Sequence, residues 1–144
     1  MKLTIDNSLL AEAFFADAKL LGVVAPVKDY RFCWLLNRHL GCDFRVNSDI
    51  EICLAKKGRQ YFFPVYEHVE AANFLTHYIY NNQFEGEFLL PEFRHLDFVW
   101  LIKGEELQPE LLTNLMQSIR SIPGVQLIVE LEKEKIKNKI HLVF

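Results

Sequence analysis

The sequence has few of the residues that mark disulfide-rich, fibrous or disordered proteins. Its 144 residues include 3 cysteines, 6 glycines and 5 prolines. A small, odd number of cysteines favours free thiols in a reducing compartment over a disulfide framework. Glycine and proline are scattered singly, without an internal repeat, linker or low-complexity tract, so we expect one globular domain over residues 1–144.

Long hydrophobic runs are also missing. No stretch approaches the roughly 20 apolar residues that a membrane-spanning helix needs. The first six residues, MKLTID, lack the basic start and apolar run of a signal peptide. We therefore expect a soluble protein of the cytoplasm with no membrane partner.

The chain has no excess of positive charge. Lys and Arg number 16 against 19 Asp and Glu, which gives a formal net charge of −3. Because nucleic-acid affinity depends on many phosphate contacts, this balance argues against a nucleic-acid partner. Aromatic residues of the predicted strands could stack on RNA bases, namely Tyr61, Phe63, Tyr78 and Tyr80. Such an aromatic sheet face is more often core, so RNA binding is the least favoured function.

Familiar motifs for catalysis and cofactor binding are absent as well. The sequence contains no G-x-G-x-x-G, Walker A, G-x-S-x-G or H-E-x-x-H pattern. His39, Cys42, Cys53 and His68 supply metal-ligand types, but without the paired spacing of a zinc site. Cys33 lies among apolar neighbours and is predicted to be a packing residue. We therefore expect neither a metal nor a cofactor.

The chain is rich in hydrophobic residues, which make up 51% of it and include 12 Phe. One such segment, Asp29–Leu40, is predicted to be a helix, with Asp29 capping its first turn and Gly41 in the left-handed position after its end. Apolar side chains cover nearly its whole circumference, and only Arg31 and Arg38 form a polar wedge. A helix of this kind is packed between layers or covered by a partner.

This helix supplies the candidate interface. Interfaces favour aromatic residues and arginine, and two guanidinium groups on one helical face can clamp a carboxylate or phosphate. The candidate interface residues are Asp29, Tyr30, Arg31, Trp34 and Arg38. The alternative is that the arginines form the solvated stripe of an otherwise buried helix.

Short strands and a second helix follow along the chain. Apolar or alternating runs predict strands at 49–54, 60–68, 73–80, 95–102 and 125–131. Pro64 lies inside one run, which predicts a sheet edge or a bulge there. Pro109 suits the first position of a helix over 110–120. The order favours an α+β fold, a mainly antiparallel β-sheet covered on one face by two main α-helices.

The stretch 90–98 carries a small group of polar residues. Pro91 suits the start of a strand, and Glu92 in the turn before it can accept hydrogen bonds from free backbone N–H groups. Asp is a poor strand residue, so Asp97 needs a reason. If strand 95–102 is regular, His95 and Asp97 share one face, opposite Leu96, Phe98 and Trp100. Glu92, His95 and Asp97 then form a candidate polar site, or else a cross-strand ion pair beside a turn stabilised by Glu92.

The same stretch, LPEFRHLDF, resembles the pattern for which the IPExxxVDY family is named. Pro91, Glu92 and Asp97 match outright. Related residues replace the other three, with Leu90 for Ile, Leu96 for Val and Phe98 for Tyr. A second similarity lies at Asp29-Tyr30-Arg31. The resemblance implies a small bacterial protein, and it implies no activity because none is assigned to the family.

The N-terminal quarter allows two interpretations. Residues 8–21 are rich in Ala, Leu and Phe, which permits a helix by propensity. Residues 20–25, before Pro26, read as a buried strand leading into a turn. The family resemblance favours a strand at about 19–25.

Two functional hypotheses follow. The first is a non-enzymatic protein–protein interaction module, as a homodimer or as an accessory subunit of another cytoplasmic protein, because the helix Asp29–Leu40 offers excess apolar surface. The second is a small-ligand-binding protein or an enzyme that uses Glu92, His95 and Asp97.

Overall fold

The computed structural model describes residues 7–104 and 107–144, and these contain three α-helices and ten strands. The helices are α1 (Asn7–Phe15), α2 (Asp29–Leu40) and α3 (Pro109–Arg120). The strands are β1 (Ala18–Val24), β2 (Arg45–Val46), β3 (Ile52–Lys56), β4 (Arg59–Phe63), β5 (Val65–Glu70), β6 (Leu75–Asn81), β7 (Gln83–Phe84), β8 (Glu87–Phe88), β9 (Phe98–Lys103) and β10 (Leu127–Leu131). Short 3₁₀ helices lie at Ala71–Asn73, Pro91–Phe93, Lys133–Lys135 and Lys139–Leu142.

Six of these strands form an antiparallel sheet in the order β10-β1-β9-β6-β5-β2. Helices α2 and α3 cover one face of it. Their side chains join the inward residues of the strands in one cluster around Phe32, Leu36, Ile79, Trp100 and Ile119. This arrangement is the predicted α+β fold, a mainly antiparallel sheet with two main helices on one face.

The opposite face of the sheet is covered too. Helix α1, the β3–β4 hairpin and the C-terminal 3₁₀ helices pack there against strand residues such as Leu20, Tyr80 and Leu101. Strand β9 is therefore buried on both faces, with Phe98 and Trp100 facing α2 and α3, and Val99 and Leu101 facing the second cluster. A strand covered on both sides reads as a continuous apolar run.

The N-terminal quarter contains both a helix and a strand. The strand expected at about 19–25 is β1, Ala18–Val24, which lies inside the sheet between β9 and β10. The helical propensity of the preceding residues is realised in α1. No helix within the described ranges is both long and apolar enough to cross a membrane.

Pro64 divides one predicted strand into two. The run 60–68 becomes β4 and β5, which meet at Pro64 and belong to different sheets. Strand β4 pairs with β3 in a two-stranded hairpin, whereas β5 lies between β6 and β2. Because proline has no N–H to donate, the backbone ladder cannot continue through this position.

The strand predicted at 95–102 is β9, which is shorter than predicted. It begins at Phe98 and not at His95, because Pro91–Phe93 form a 3₁₀ helix and residues 94–97 are irregular. The prediction that Leu96 shares a face with Phe98 and Trp100 is therefore wrong. Leu96 packs into the cluster on the opposite side of the sheet. Period-two alternation applies only to extended residues, and Leu96 precedes the strand.

Candidate functional site

The outer face of α2 presents two large aromatic side chains to solvent. Tyr30 is 66% exposed and Trp34 is 47% exposed. The guanidinium carbons of Arg31 and Arg38 lie 4.9 and 5.4 Å from the centre of the Trp34 ring. Arg31, Trp34 and Arg38 thus form one surface, and the exposed Tyr30 lies four residues before Trp34 on the helix. These four residues are called the Trp34 patch below. The structure brings together four of the five residues predicted for the interface.

The two arginines of this patch carry charge that no acid of the described ranges neutralises. Neither Arg31 nor Arg38 takes part in a salt bridge there. Stacking on an indole face uses the plane of a guanidinium and leaves its N–H donors at the edge. Those donors are suited to a carboxylate or phosphate from outside the chain.

The inner face of α2 fixes the patch in place. Phe32 is fully buried, and its ring stacks on Phe98 with centroids 4.5 Å apart. Cys33, Leu35 and Leu36 are buried beside it. The predicted bounds of the helix are confirmed, and Gly41 follows it at φ 68°. Burial raises the pKa of the Cys33 thiol, which agrees with a packing role.

Asp29 serves the fold rather than the patch. Lys28 occupies the N-cap position, so Asp29 is the first residue of the helix and not its N-cap. One Asp29 oxygen accepts from the N–H of Tyr30 at 2.9 Å. The other accepts from the Tyr66 hydroxyl at 3.0 Å and from Nδ2 of Asn81 at 3.1 Å. Asp29 therefore ties the start of α2 to β5 and β6.

The stretch 90–98, called the signature below, is organised by Asn82, which is fully buried. Its Nδ2 donates to the carbonyls of Phe93 and Leu96 at 2.8 and 3.1 Å, and its Oδ1 accepts from the N–H of Leu90 at 2.9 Å. Its backbone N–H donates to the carbonyl of Asp97 at 3.0 Å. One amide side chain therefore satisfies three backbone groups that a regular strand would have paired.

Glu92 binds the C-terminal segment. Its carboxylate accepts from the backbone N–H of Asn138 at 2.9 Å and from Nδ2 of Asn138 at 3.0 Å. Partial burial opposes ionisation, but the hydrogen bonds from Asn138 outweigh it and lower the pKa of Glu92. The expectation that Glu92 accepts backbone hydrogen bonds is confirmed, with a donor remote in sequence. Pro91 opens the 3₁₀ helix that carries Glu92.

Asp97 and His95 do not share the partners of Glu92. Asp97 Oδ2 accepts from the N–H of Ala25 at 2.8 Å, just past the end of β1. His95 is exposed, with its ring 6.3 Å from that of Phe93. No hydrogen bond among the described residues joins Glu92, His95 and Asp97 to one another. The structure gives the two carboxylates separate partners in two different parts of the fold.

A buried polar network that the sequence patterns did not predict lies on the α2–α3 side of the sheet. Trp100 Nε1 donates to Nδ1 of His77 at 3.0 Å. His77 Nε2 lies 3.1 Å from a carboxylate oxygen of Glu70. A signal was present, because His77 falls between Leu75 and Ile79 on an apolar strand face. A histidine in such a position needs polar partners.

The described residues offer little to a metal ion. No group of three or more His, Cys, Asp or Glu side chains gathers at one point within the described ranges. Cys33, Cys42 and Cys53 are free thiols. Burial raises the pKa of Cys42 to about 11, so this thiol is protonated at neutral pH and a poor ligand.

Comparison with family models and with curated proteins gives no relative from which a role could be carried over. No family model matches the chain. No curated protein matches it either. The resemblance to the IPExxxVDY pattern therefore stays a prediction.

Proposed function

We propose that this chain is a protein–protein interaction module that binds an acidic segment of a partner protein through the Trp34 patch. The observation that carries the proposal is the exposed indole of Trp34, in contact with two guanidinium groups that have no acidic partner within the described ranges. Tryptophan, tyrosine and arginine are the residues most enriched at the energetic centres of interfaces. The patch contains all three within two turns of one helix.

The positive charge of the Trp34 patch favours a different protein over a second copy of this chain as its binding partner. A two-fold dimer through this patch would set Arg31 and Arg38 of one protomer against the same residues of the other. Like charges across an interface cost several kcal/mol. A partner segment with carboxylates on either side of an apolar residue would instead pair with both arginines and cover Trp34.

The patch is also rigid before binding. Phe32 and Phe98 hold α2 against the sheet, and Asp29 ties its first turn to Tyr66 and Asn81. A partner would not have to order the helix, which lowers the entropic cost of association. The arginines are already stacked on Trp34, so part of their rotamer freedom is lost in the free protein.

A displayed peptide library tests the proposal and does not require an identified partner. Peptides selected on the wild-type protein are expected to be rich in Asp and Glu around an apolar residue. Trp34→Ala and the double variant Arg31→Glu/Arg38→Glu should each weaken the selected peptides by about tenfold or more. Arg120→Glu, an exposed arginine of α3, is the matched control and should bind as wild type.

Two results would contradict the proposal. One is a set of selected peptides that bind both variants of the patch as tightly as wild type, since such peptides would dock elsewhere. The other is selection without acidic enrichment. Light scattering on wild type and Trp34→Arg adds a further check, because a dimer that becomes a folded monomer would place a second copy on the patch.

The alternative function, a small-ligand site or enzyme built on Glu92, His95 and Asp97, has less support. Glu92 and Asp97 already accept hydrogen bonds from Asn138 and Ala25. A catalytic carboxylate must lie within reach of its substrate and of the other catalytic groups. These contacts favour a structural role for the signature.

The proposal also includes a protein family and a cellular compartment. We place the chain with the IPExxxVDY proteins on the residues at 90–98 and on Asp29-Tyr30-Arg31. We place it in the cytoplasm because its three cysteines are free thiols, which suits a reducing compartment.

A further inference from the structure

A cleft of about 510 Å³ opens between α3, the end of α2 and the ends of β5 and β6. Its buried base contains His77 and Trp100, and its rim contains Glu70, Asn73 and Leu111. We infer that this cleft binds a small organic cation, an ammonium group joined to an apolar body. The site is independent of the Trp34 patch, none of whose residues lines the cleft.

The charge of the cleft points to a cation. Among the described residues that line it, Glu70 is the only acid, and none is a lysine or arginine. Burial opposes the charge of Glu70, but hydrogen bonds from His77 and Asn73 outweigh it and lower the pKa of this carboxyl. The cleft therefore carries a carboxylate at neutral pH, and its described lining has no lysine or arginine to offset it.

His77 does not neutralise this charge. The indole N–H of Trp100 can only donate, so Nδ1 of His77 must accept and its proton lies on Nε2. Protonation of Nδ1 would set two donors against each other 3.0 Å apart. Burial also lowers the pKa of His77. The close approach of His77 to Glu70 is thus a hydrogen bond from a neutral imidazole and not an ion pair.

Glu70 has acceptor capacity left for a ligand. One oxygen accepts from His77 Nε2 and the other from Asn73 Nδ2, each at 3.1 Å. A carboxylate can accept about four hydrogen bonds, so each oxygen retains a free lone pair. Glu70 is partly exposed at the mouth of the cleft, and an ammonium group can reach it there.

The rest of the lining suits an apolar body. Leucine and valine side chains form the walls, namely Leu40, Leu75, Leu107, Leu111, Leu115 and Val69. Leu111 and Val69 are exposed large hydrophobic residues at this mouth. Pockets for small molecules combine apolar walls with a few placed polar groups. A ligand that buries an aryl or alkyl group here while its ammonium binds Glu70 would satisfy both features.

Titration with phenethylamine, followed by the indole N–H signals in ¹⁵N-labelled protein, tests the inference. The chain has 2 tryptophans, so Trp100 at the base of the cleft reports binding and Trp34 is an internal control. Trp34→Phe assigns the two signals. We expect a saturable shift of the Trp100 signal alone, with a Kd of about 1 mM for a ligand of this size.

Two comparisons decide the role of charge. Hydrocinnamate carries a carboxylate in place of the ammonium group and should not bind. Glu70→Gln keeps the size and a hydrogen-bond acceptor but removes the charge, so it should weaken phenethylamine by about tenfold. Glu130→Gln, an exposed glutamate of β10, makes the same change in net charge and should bind as wild type.

Three outcomes would overturn the inference. Equal binding of phenethylamine and hydrocinnamate would show that charge does not select the ligand. Unchanged affinity in Glu70→Gln would remove the carboxylate from the site. Failure of phenethylamine, cyclohexylamine and hexylamine to shift the Trp100 signal at about ten times the expected Kd would exclude the ligand class.

Discussion

The indole nitrogen of Trp100 donates to Nδ1 of His77 across 3.0 Å and thereby selects the neutral form of this buried imidazole. Trp100 lies on β9 and His77 on the neighbouring β6, where His77 is opposite Ile102 in the pairing. The bond therefore joins two strands at the centre of the sheet. It also couples the protonation of one side chain to the stability of the whole fold.

Stability should fall as the pH drops below about 6.5, the ordinary pKa of histidine. The pKa of His77 is lower in the folded protein than in the unfolded chain, so the unfolded chain binds the extra proton first as the pH falls. The contribution of neutral His77 to the free energy of unfolding is therefore complete only above the pKa of the unfolded chain. His77→Gln can keep both hydrogen bonds and does not titrate. The free energy of unfolding of wild type minus that of His77→Gln should thus decrease from about pH 8 to about pH 5.

Urea denaturation at a series of pH values measures this difference. His39→Gln, which changes an exposed histidine, is the control and should follow wild type throughout. Parallel curves for wild type and His77→Gln would show that His77 does not carry the pH dependence.

Loss of the Asn82 side chain should destabilise the protein strongly. Asn82→Ala leaves the buried N–H of Leu90 and the buried carbonyl of Leu96 without their partner, at about 1–3 kcal/mol for each group. The Phe93 carbonyl keeps its hydrogen bond from the N–H of Leu96. We expect a loss of about 3 kcal/mol or more in the free energy of unfolding. Gln83→Ala, one position further on and exposed, should change it by less than about 0.5 kcal/mol. Similar values for the two variants would refute the role given to Asn82.

Glu92 and Asn138 should be energetically coupled. A double-mutant cycle with Glu92→Ala and Asn138→Ala measures the bond between Oε1 and Nδ2, and we expect about 1 kcal/mol or less because Glu92 is partly exposed. The pKa of Glu92 is lowered, so the coupling is complete above the ordinary value of 4.5 and is lost as the pH falls below it. A coupling energy near zero at neutral pH would mean that Glu92 does not hold the C-terminal segment at Asn138.

Variants of Asp97 test whether its carboxylate has a structural role or a chemical one. Asp97→Asn retains an oxygen that can accept from the N–H of Ala25, so it should cost less than about 1 kcal/mol. Asp97→Ala removes the acceptor and should cost about 1–3 kcal/mol. Hydrogen exchange at the Ala25 amide should speed up in Asp97→Ala and stay slow in Asp97→Asn. Equal protection in both variants would mean that this bond does not hold the end of β1.

Local pattern was enough to predict the helix α2, and at Pro64 it predicted a sheet edge or a bulge where the structure has a break between β4 and β5. Gly41 ends the helix with a left-handed backbone, and a missing N–H at Pro64 interrupts the ladder, so both effects act on neighbouring residues. The packed face of α2 and the exposed Trp34 could not be separated by pattern. Trp34 and Leu35 lie on either side of the arginine wedge, and only tertiary contacts decide that Leu35 is buried and Trp34 exposed.

The signature and the His77 network depend on partners remote in sequence. Asn82 reaches carbonyls 11 and 14 residues further on, and Glu92 reaches Asn138, 46 residues away. Side-chain bonds to irregular backbone have no period that a sequence pattern could reveal. His77 and Trp100 meet only because β6 pairs with β9 in one register. A shift of one residue would turn their side chains to opposite faces.

The position of β1 has a consequence for biosynthesis. This early strand lies between β9 and β10, and Leu20 pairs with both Leu101 and Leu131. During translation Leu20, Leu21 and Val23 therefore stay without these partners until β9 and β10 have been made. Contacts between such distant residues slow folding, and an exposed apolar strand is prone to aggregate in the meantime. The sheet is thus expected to close only after β10 has left the ribosome, and β1 is exposed to aggregation until then.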